Sequence, residues 1–195
     1  DEVSAVYDAG CRGVPVSLPE LPIQYADFAI EERRRLEGDS ARSQIEFWRR
    51  KLDGFPSALE LPGDCPRPEN RTFDADEVAV DLPNDVVSAV RSLANRENCT
   101  FFMALMAVFN LLLHRWTGSE DILVGFPISG RHRSGTEDLV GLFLNSLVCR
   151  TDLSGRPSFV ELLRRVAADC IETYRRQDIP FQWLVEELRP PRDLA

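Results

Sequence analysis

The sequence predicts an α/β fold, a two-layer sandwich in which a mixed sheet packs against helices. Apolar residues recur at helical spacing in several segments, and two short apolar runs lie between turn residues. Helical and strand patterns also alternate along the chain. The chain has 195 residues, of which 44% are hydrophobic and 28% are charged. This composition supports one hydrophobic core and excludes low-complexity disorder.

The N-terminal part is predicted to be mostly helical. The first residues resemble the end of an amphipathic helix, and a linker rich in proline and glycine follows over residues 10–22. A highly charged helix is predicted for residues 25–36. Apolar residues spaced by three and four predict a second helix around Trp48, which ends at Gly54. Residues 55–71 contain four prolines and are predicted to be an extended linker.

A strand and a capped helix are predicted next. Val78, Val80 and Leu82 alternate with charged or small residues, which is typical of a half-buried strand. Asn84 or Asp85 is predicted to cap the helix that follows, because short polar side chains satisfy the free amide groups at a helix start.

The middle of the chain is its most apolar part. Thr100 is predicted to cap an apolar helix over residues 101–116, and Gly118 to end it. Its longest apolar stretch, about 13 residues, is shorter than the ~18–20 that span a bilayer, so a buried core helix is expected. Residues 122–126 and 145–150 are apolar runs typical of strands that are covered on both faces.

Two helices are predicted near the C-terminal end. Ser158 and Glu161 form a capping box at the start of a long amphipathic helix. A shorter helix is predicted to begin near Pro180 and to stop at the prolines of residues 190–191. A polar loop over residues 130–138 connects the two predicted strands.

Charge and cysteine content limit the classes of partner. The chain carries 23 basic and 32 acidic side chains, for a net charge of −9, which argues against nucleic acid as a partner. Five cysteines without a CxxC pair predict free thiols, a cytoplasmic location and no zinc site. Cys149 and Cys170 lie in apolar surroundings and are expected in the core. Neither a signal peptide nor a membrane contact is predicted.

The residues by themselves contain no complete catalytic set. The chain has two histidines, His114 and His132. Ser129 lies close to His132 in the sequence, but the arginines on either side of that histidine disfavour its protonated form. His114 is expected to be a structural residue near a helix end. The GxSxG and HExxH motifs are both absent from the sequence.

Three polar residues lie within or beside apolar segments and are candidate site residues. Asn145 interrupts an apolar run, where an amide needs its hydrogen bonds satisfied, so it either pins a loop or strand edge or lines a site. Asp178 precedes a helix, and capping that helix is the favoured interpretation over lining a site. Arg150 ends a strand and is expected to pair with a carboxylate.

Several motifs in order resemble the condensation domains of nonribosomal peptide synthetases, which have the chloramphenicol-acetyltransferase-like fold. The resemblance covers essentially the whole chain. The motifs that carry it are LPIQYADFAI at residues 21–30, LELPGDCPRP at 59–68, LHRWTG at 113–118, VGLFLNS at 140–146, QDIPF at 177–181 and RDL at 192–194.

The sequence also departs from the family pattern. Glu31 stands where the family usually has Trp, Arg176 where it has His, and Ala195 where it has Ser. The HHxxxDG motif, whose second histidine is associated with amide-bond formation, has no counterpart among these residues. We therefore expect the chain to be the latter part of such a domain. Residues 1–20 would end the preceding lobe and its linker, and residues 21–195 would form an incomplete C-terminal lobe.

The resemblance implies an acyltransferase that forms an amide bond. The complete domain would join a donor acyl or peptidyl thioester to the amine of an acceptor aminoacyl thioester. Both substrates would arrive on the 4′-phosphopantetheine arms of upstream and downstream peptidyl carrier proteins, in a tunnel between two lobes. The implied partners are the N-terminal lobe of the same domain, these carrier proteins and the adjacent adenylation domain.

The same resemblance places functional positions in this chain but no catalytic residue. Asn145, Arg150 and Asp178 would be motif positions along the substrate tunnel, and the loop over residues 130–141 would lie beneath the active site. No cofactor or metal is expected to bind directly, and the chain alone is expected to be inactive. The alternative is a non-catalytic, condensation-like domain that binds or recruits partner proteins.

Overall fold

The computed structural model describes residues 2–55, 59–64 and 75–190. Within these ranges helices dominate, and two strands form one small sheet. The predicted mixture of helices and strands is confirmed. In chain order the elements are α1 (Glu2–Arg12), α2 (Tyr25–Leu36), α3 (Asp39–Leu52), α4 (Asn84–Arg96), α5 (Phe101–Thr117), β1 (Asp121–Ile128), β2 (Asn145–Asp152), α6 (Phe159–Tyr174) and α7 (Phe181–Leu188).

The two strands pair antiparallel, with Ile128 opposite Asn145 at the end nearest the connecting loop. Ile122 and Phe126 of β1 are buried in the main core, to which α5 and α6 also contribute. Leu123 is only partly buried. The prediction that β1 is covered on both faces therefore holds for one face only, because α7 packs on α3 and β2.

The caps predicted for the two core helices are present. Thr100 Oγ1 accepts a hydrogen bond from the backbone N–H of Met103 at 3.2 Å. Ser158 Oγ accepts from the N–H of Glu161 at 3.3 Å, and the Glu161 carboxylate accepts from the N–H of Ser158 at 2.7 Å. Gly118 ends α5 with a φ of 72°, a left-handed conformation that glycine adopts without steric cost.

Helix α5 is buried on its inner face only, so the prediction of a buried core helix holds for that face and is wrong for the outer one. Ala104 and Ala107 on its inner face are completely buried. Nothing among the described residues covers its outer face. The large apolar side chains exposed there are Phe102, Leu105, Val108, Phe109, Leu112 and Trp116.

Residues 75–83 do not form the predicted strand. Val78 and Val80 are exposed, and no described strand pairs with this segment. Alternation of apolar and polar residues does not create a strand without a neighbour that accepts and donates the backbone hydrogen bonds. The predicted cap of α4 is also wrong. Asn84 is the first helical residue, neither it nor Asp85 caps the helix, and the N-cap position makes no side-chain hydrogen bond.

The outer edge of β2 is covered by side chains of α6. Asp169 Oδ2 accepts from the backbone N–H of Arg150 at 3.0 Å, and the Thr173 hydroxyl donates to the carbonyl of Val148 at 3.4 Å. Lys51 of α3, the only lysine in the sequence, donates to Thr173 Oγ1 at 2.7 Å and pairs with Asp169 at 2.5 Å. These contacts satisfy backbone groups that an uncovered edge strand would leave unpaired.

Several other predictions concern segment boundaries. Helix α1 extends to Arg12, so the irregular backbone of the predicted linker begins after that residue rather than at residue 10. Part of the predicted linker over residues 55–71, and the motif at residues 192–194, lie outside the described residues. The division at residues 20 and 21 remains a prediction.

None of the described helices alone has the length and apolar character to cross a membrane. Helices α4 and α5 meet that test together but bend by 110°.

Candidate functional site

Asn145 joins the start of β2 to the connection between α6 and α7. Its Nδ2 donates to the carbonyl of Gln177 at 3.1 Å and to that of Ile179 at 2.9 Å. Its Oδ1 accepts from the backbone N–H groups of Ser146 and Phe181, both at 2.9 Å. Both amide donors and both acceptor positions are therefore used. Asn145 caps the first residue of α7, although it lies 36 residues away in the sequence.

Asp178 lies between the two carbonyl groups that Asn145 binds. Its Oδ1 accepts from Arg133 Nη2 at 3.3 Å and lies 3.1 Å from His132 Nε2. Its Oδ2 accepts from Gln44 Nε2 at 3.5 Å. We refer to Gln44, His132, Arg133 and Asp178 as the Asp178 cluster. The prediction that Asp178 caps α7 is wrong, because its carboxylate contacts α3 and the loop between the strands instead.

The loop between β1 and β2, residues 129–144, has a backbone shape that two glycines permit. Gly130 has a φ of 65°, and a Cβ there would overlap the backbone carbonyl of Phe143. A Cβ at Gly141 would overlap the ring of Tyr25. The Tyr25 hydroxyl donates to the carbonyl of Leu142 at 2.9 Å, which ties the end of the loop to α2.

Aromatic and cationic side chains pack beneath this loop. Phe28 of α2 and Phe143 are both buried, with ring centroids 4.7 Å apart. The Arg131 guanidinium lies 4.1 Å from the centroid of the Phe143 ring and donates to the carbonyl of Thr136. Buried Thr136 donates from its hydroxyl to the carbonyl of Arg133 at 2.6 Å. Such cation–π contacts at partly exposed sites contribute about 0.5–1 kcal/mol each.

A cavity of about 280 Å³ lies beside the Asp178 cluster. Helix α2 and the first turn of α3 form its other walls, and its lining includes Arg35 and Glu32 together with Arg133 and Asp178. Arg35 Nη2 and Gln44 Oε1 are buried and have no hydrogen-bond partner among the described residues. The lining mixes cations and carboxylates, so the cavity does not select a charged ligand of one sign.

Arg150 lies near the opposite end of β2, five residues beyond Asn145, which corresponds to about 17 Å along a strand. Its Nη2 pairs with Asp121 Oδ2 at 2.7 Å, which confirms the expected carboxylate partner. Its Nη1 donates to the carbonyls of Lys51 at 2.7 Å and Asp53 at 2.8 Å, at the end of α3. The hydrogen bond to Asp121 raises the pKa of Arg150. The structure thus brings Asn145 and Asp178 together and places Arg150 elsewhere.

Neither histidine forms a hydroxyl–imidazole pair with any residue that the structure describes. His114 Nδ1 lies 2.7 Å from the carbonyl of Ser119 in the turn before β1, which is the structural position predicted for it. His132 contacts Asp178. In the described part of the chain, Ser129 Oγ accepts from the N–H of Arg131 and makes no hydrogen bond with His132. Sequence reasoning misses the contact between His132 and Asp178, because 46 residues separate the two and no local pattern marks the pair.

The cysteines and carboxylates of the described residues do not cluster as metal ligands. Across residues 2–55, 59–64 and 75–190, no group of three or more His, Cys, Asp or Glu side chains is placed to hold a metal ion. Cys149 and Cys170 are completely buried, as predicted. A hydrogen bond with Cys170, together with burial, raises the pKa of the Cys149 thiol, which favours its neutral form.

The sequence profile described as "Condensation domain" matches residues 1–195. This chain belongs to the condensation domain family. The chain is 44% identical over 194 residues to a linear gramicidin synthase of Brevibacillus parabrevis and 43% identical to phosphinothricin tripeptide synthetase PhsB of Streptomyces viridochromogenes. It spans 4% and 16% of those two proteins, respectively.

Solved structures agree with the assignment to the condensation domain family. The X-domain from teicoplanin biosynthesis is 30% identical, with a TM-score of 0.90 over 99% of this chain. The first condensation domain of the calcium-dependent antibiotic synthetase is 19% identical, with a TM-score of 0.78, and supports the fold. This condensation-domain segment spans 44% of the first structure and 42% of the second.

Two of the three departures from the family motifs can be located in this condensation-domain segment. Glu31 lies on α2 and pairs weakly with Arg35, at 3.9 Å. The Arg176 guanidinium stacks on the ring of Phe47 at 3.7 Å and donates to the carbonyl of Glu172 at 3.0 Å. Both substitutions are therefore accommodated by local contacts. The third, at residue 195, lies outside the described residues.

Proposed function

We propose that this chain is the latter part of a nonribosomal peptide synthetase condensation domain that forms an amide bond. The profile match over the whole chain carries this proposal. Identity above 40% to segments of the two synthetases described above supports it. The proposed location is the cytoplasm.

In the proposed reaction, the amine of the acceptor aminoacyl thioester attacks the donor thioester carbonyl. The new C–N bond replaces the C–S bond, the donor thiol leaves, and the proton lost by the amine balances the proton gained by the thiolate. Both substrates are held by phosphopantetheine arms of carrier proteins, so the domain mainly supplies proximity and orientation, which are worth several orders of magnitude in rate.

The role that we assign to this segment is to form part of the tunnel wall. Support comes from Asn145, which fixes the connection carrying Asp178, and from the loop that Asp178 contacts. Arg150 is assigned a role in holding the sheet to α3, because Asp121 and two carbonyl groups already occupy its donors. The histidine that assists the attacking amine is assigned to an HHxxxDG motif upstream of residue 1.

Product formation by a complete domain containing this chain tests the proposal. Donor and acceptor carrier domains would be loaded with aminoacyl thioesters, and the acceptor carrier would be analysed by mass spectrometry. We expect a dipeptidyl thioester on the acceptor carrier that is lost when the donor or the second histidine of the upstream motif is removed. Loading of both carriers without any dipeptide would refute amide-bond formation.

Partner recruitment is a second candidate function. The TM-score of 0.90 to the teicoplanin X-domain, which has also been solved as a complex with OxyB, favours it. The residues immediately before Asp1 discriminate between the candidates. An intact HHxxxDG there favours catalysis, and loss of its second histidine favours a module that binds another protein.

A further inference from the structure

Two of the contacts that tie the loop between β1 and β2 to the rest of the chain lie near its opposite ends. Near its end, Tyr25 donates to the carbonyl of Leu142. Near its start, His132 and Arg133 both reach one oxygen of Asp178, at 3.1 and 3.3 Å. The side chains of the first contact are largely apolar and aromatic, whereas the second depends on charge. A single isosteric substitution, Asp178→Asn, removes the carboxylate charge on which the second contact depends.

Contacts with Asn145, a residue of another segment, fix the orientation of the Asp178 carboxylate. The Asn145 amide donates to the carbonyl groups on both sides of Asp178, those of Gln177 and Ile179. Because Asn145 is the first residue of β2, the sheet fixes the backbone on which the carboxylate stands. Gln44 of α3 contacts the second carboxylate oxygen at 3.5 Å.

Charge and exposure indicate a contact that holds a loop rather than one that builds the core. The side chain of Asp178 is 44% exposed, and those of His132 and Arg133 are 34% and 22% exposed. Exposed ion pairs contribute little to global stability. The Arg133 guanidinium and the His132 ring nevertheless converge on one preset oxygen, and together they select one position of residues 129–141 over others.

We propose that Asp178 is a positioning residue for the condensation reaction, acting through His132 and Arg133 on the loop over residues 129–141. This inference rests on the proposed function, in which that loop forms part of the tunnel wall. Asp178 touches neither substrate nor reacting atom in this scheme. Its carboxylate holds the wall in the position that the two thioesters require.

The first test compares Asp178→Asn with Asp81→Asn in the complete domain. Asp81 is an exposed aspartate with no hydrogen bond or ion pair among the described residues, which makes it a matched control. For Asp178→Asn we expect kcat for dipeptide formation to fall about tenfold, with little change in the KM for the acceptor carrier, since small misplacements in a reaction site cost at least that much. Hydrogen exchange should rise over residues 129–141 only. Unchanged kcat, or an equal rise in exchange across β2 and α6, would overturn the proposal.

The second test removes the loop side of the contact. His132→Gln and Arg133→Gln should each lower kcat, and adding either to Asp178→Asn should lower it little further, because partners in one interaction are not additive. Asp178→Glu should recover part of the loss. Fully additive losses of kcat would contradict the proposal that Asp178 acts through His132 and Arg133. A wild-type domain that forms no dipeptide would refute the proposed function itself, whereas an active wild type with an equally active Asp178→Asn variant refutes only this inference.

Discussion

Single residues in this structure connect segments that lie far apart in the sequence. Asn145 is the clearest case, because its one amide makes four hydrogen bonds to the backbone of its own strand and of the connection before α7. An amide in an apolar run is costly unless its hydrogen bonds are made. In Asn145 the hydrogen bonds that satisfy the amide also join β2 to the connection before α7. A substrate-lining role of Asn145 itself remains a prediction.

We expect Asn145→Ala to lower dipeptide formation by the complete domain more than Ser146→Ala does. The Asn145 change releases the connection that carries Asp178 and removes about 2–3 kcal/mol of net hydrogen bonding. The Ser146 side chain makes no hydrogen bond among the described residues, so it is a matched control. Product yields and urea denaturation midpoints of both variants measure the effect. Small and equal effects on yield would assign Asn145 a purely structural role.

Lys51 is a second residue with a long-range role. Its side chain is 8% exposed and that of Asp169 is 17% exposed. We expect Lys51→Met to destabilise the protein by about 3 kcal/mol, because it leaves the largely buried Asp169 carboxylate without its cationic partner. Arg50→Met, which changes the exposed neighbouring cation, is the control. Chemical denaturation measures both, and equal midpoints would show that the pair does not stabilise the sheet edge.

At the scale of elements, local signals set where the main helices begin and end. Residue types alone predict the caps at Thr100 and Ser158, and both lie where expected. The left-handed residue Gly118 ends α5 in the same way. These predictions succeed because a cap depends on four or five consecutive residues and on little else.

The capping box of α6 predicts a pH dependence. Hydrogen bonds from Ser158 lower the pKa of Glu161 below its ordinary value of 4.5. A carboxyl with a lowered pKa in the folded state adds stability above its ordinary pKa and loses it as the pH falls through the folded value. We therefore expect Glu161→Gln to flatten the decline of Tm as the pH falls below about 4.5. Glu186→Gln on α7 is the control, and an unchanged slope for Glu161→Gln would contradict the cap's role.

Two glycines with the same backbone conformation allow a matched pair of substitutions that tests the loop between β1 and β2. Gly13 and Gly130 share a φ of 65°, but a Cβ at Gly13 meets open space whereas one at Gly130 meets the backbone of Phe143. We expect Gly13→Ala to cost about 1 kcal/mol for the conformation alone. Gly130→Ala should cost clearly more and should raise hydrogen exchange over residues 129–141. Equal thermal shifts would indicate that the loop relaxes without penalty.

At the scale of the whole molecule, exposed apolar surface is the main feature. The outer face of α5 and the side chains of Val140 and Leu142 are exposed, although apolar surface of this extent is rarely left open to water. The chain also spans less than half of the solved domains that it matches. Both facts agree with a segment that needs the remainder of the domain for cover.

We expect the 195-residue chain by itself to form no dipeptide from carrier-bound thioesters. The physical reason is that it lacks the HHxxxDG motif and the second wall of the proposed tunnel. The assay for the complete domain, repeated with this chain alone, checks the expectation, and the complete domain is the positive control. Measurable dipeptide from the chain alone would contradict it.

The sequence by itself determined the family and almost every helix, because motif order and apolar spacing are local properties that survive without coordinates. It failed at residues 75–83, where a strand needs a partner that alternation does not supply. Tertiary structure alone decided that Asn145 caps α7, that Asp178 holds His132 and Arg133, and that Lys51 pairs with Asp169 at the edge of β2. Each of these contacts joins residues tens of positions apart, and only the folded chain brings such groups within hydrogen-bonding distance.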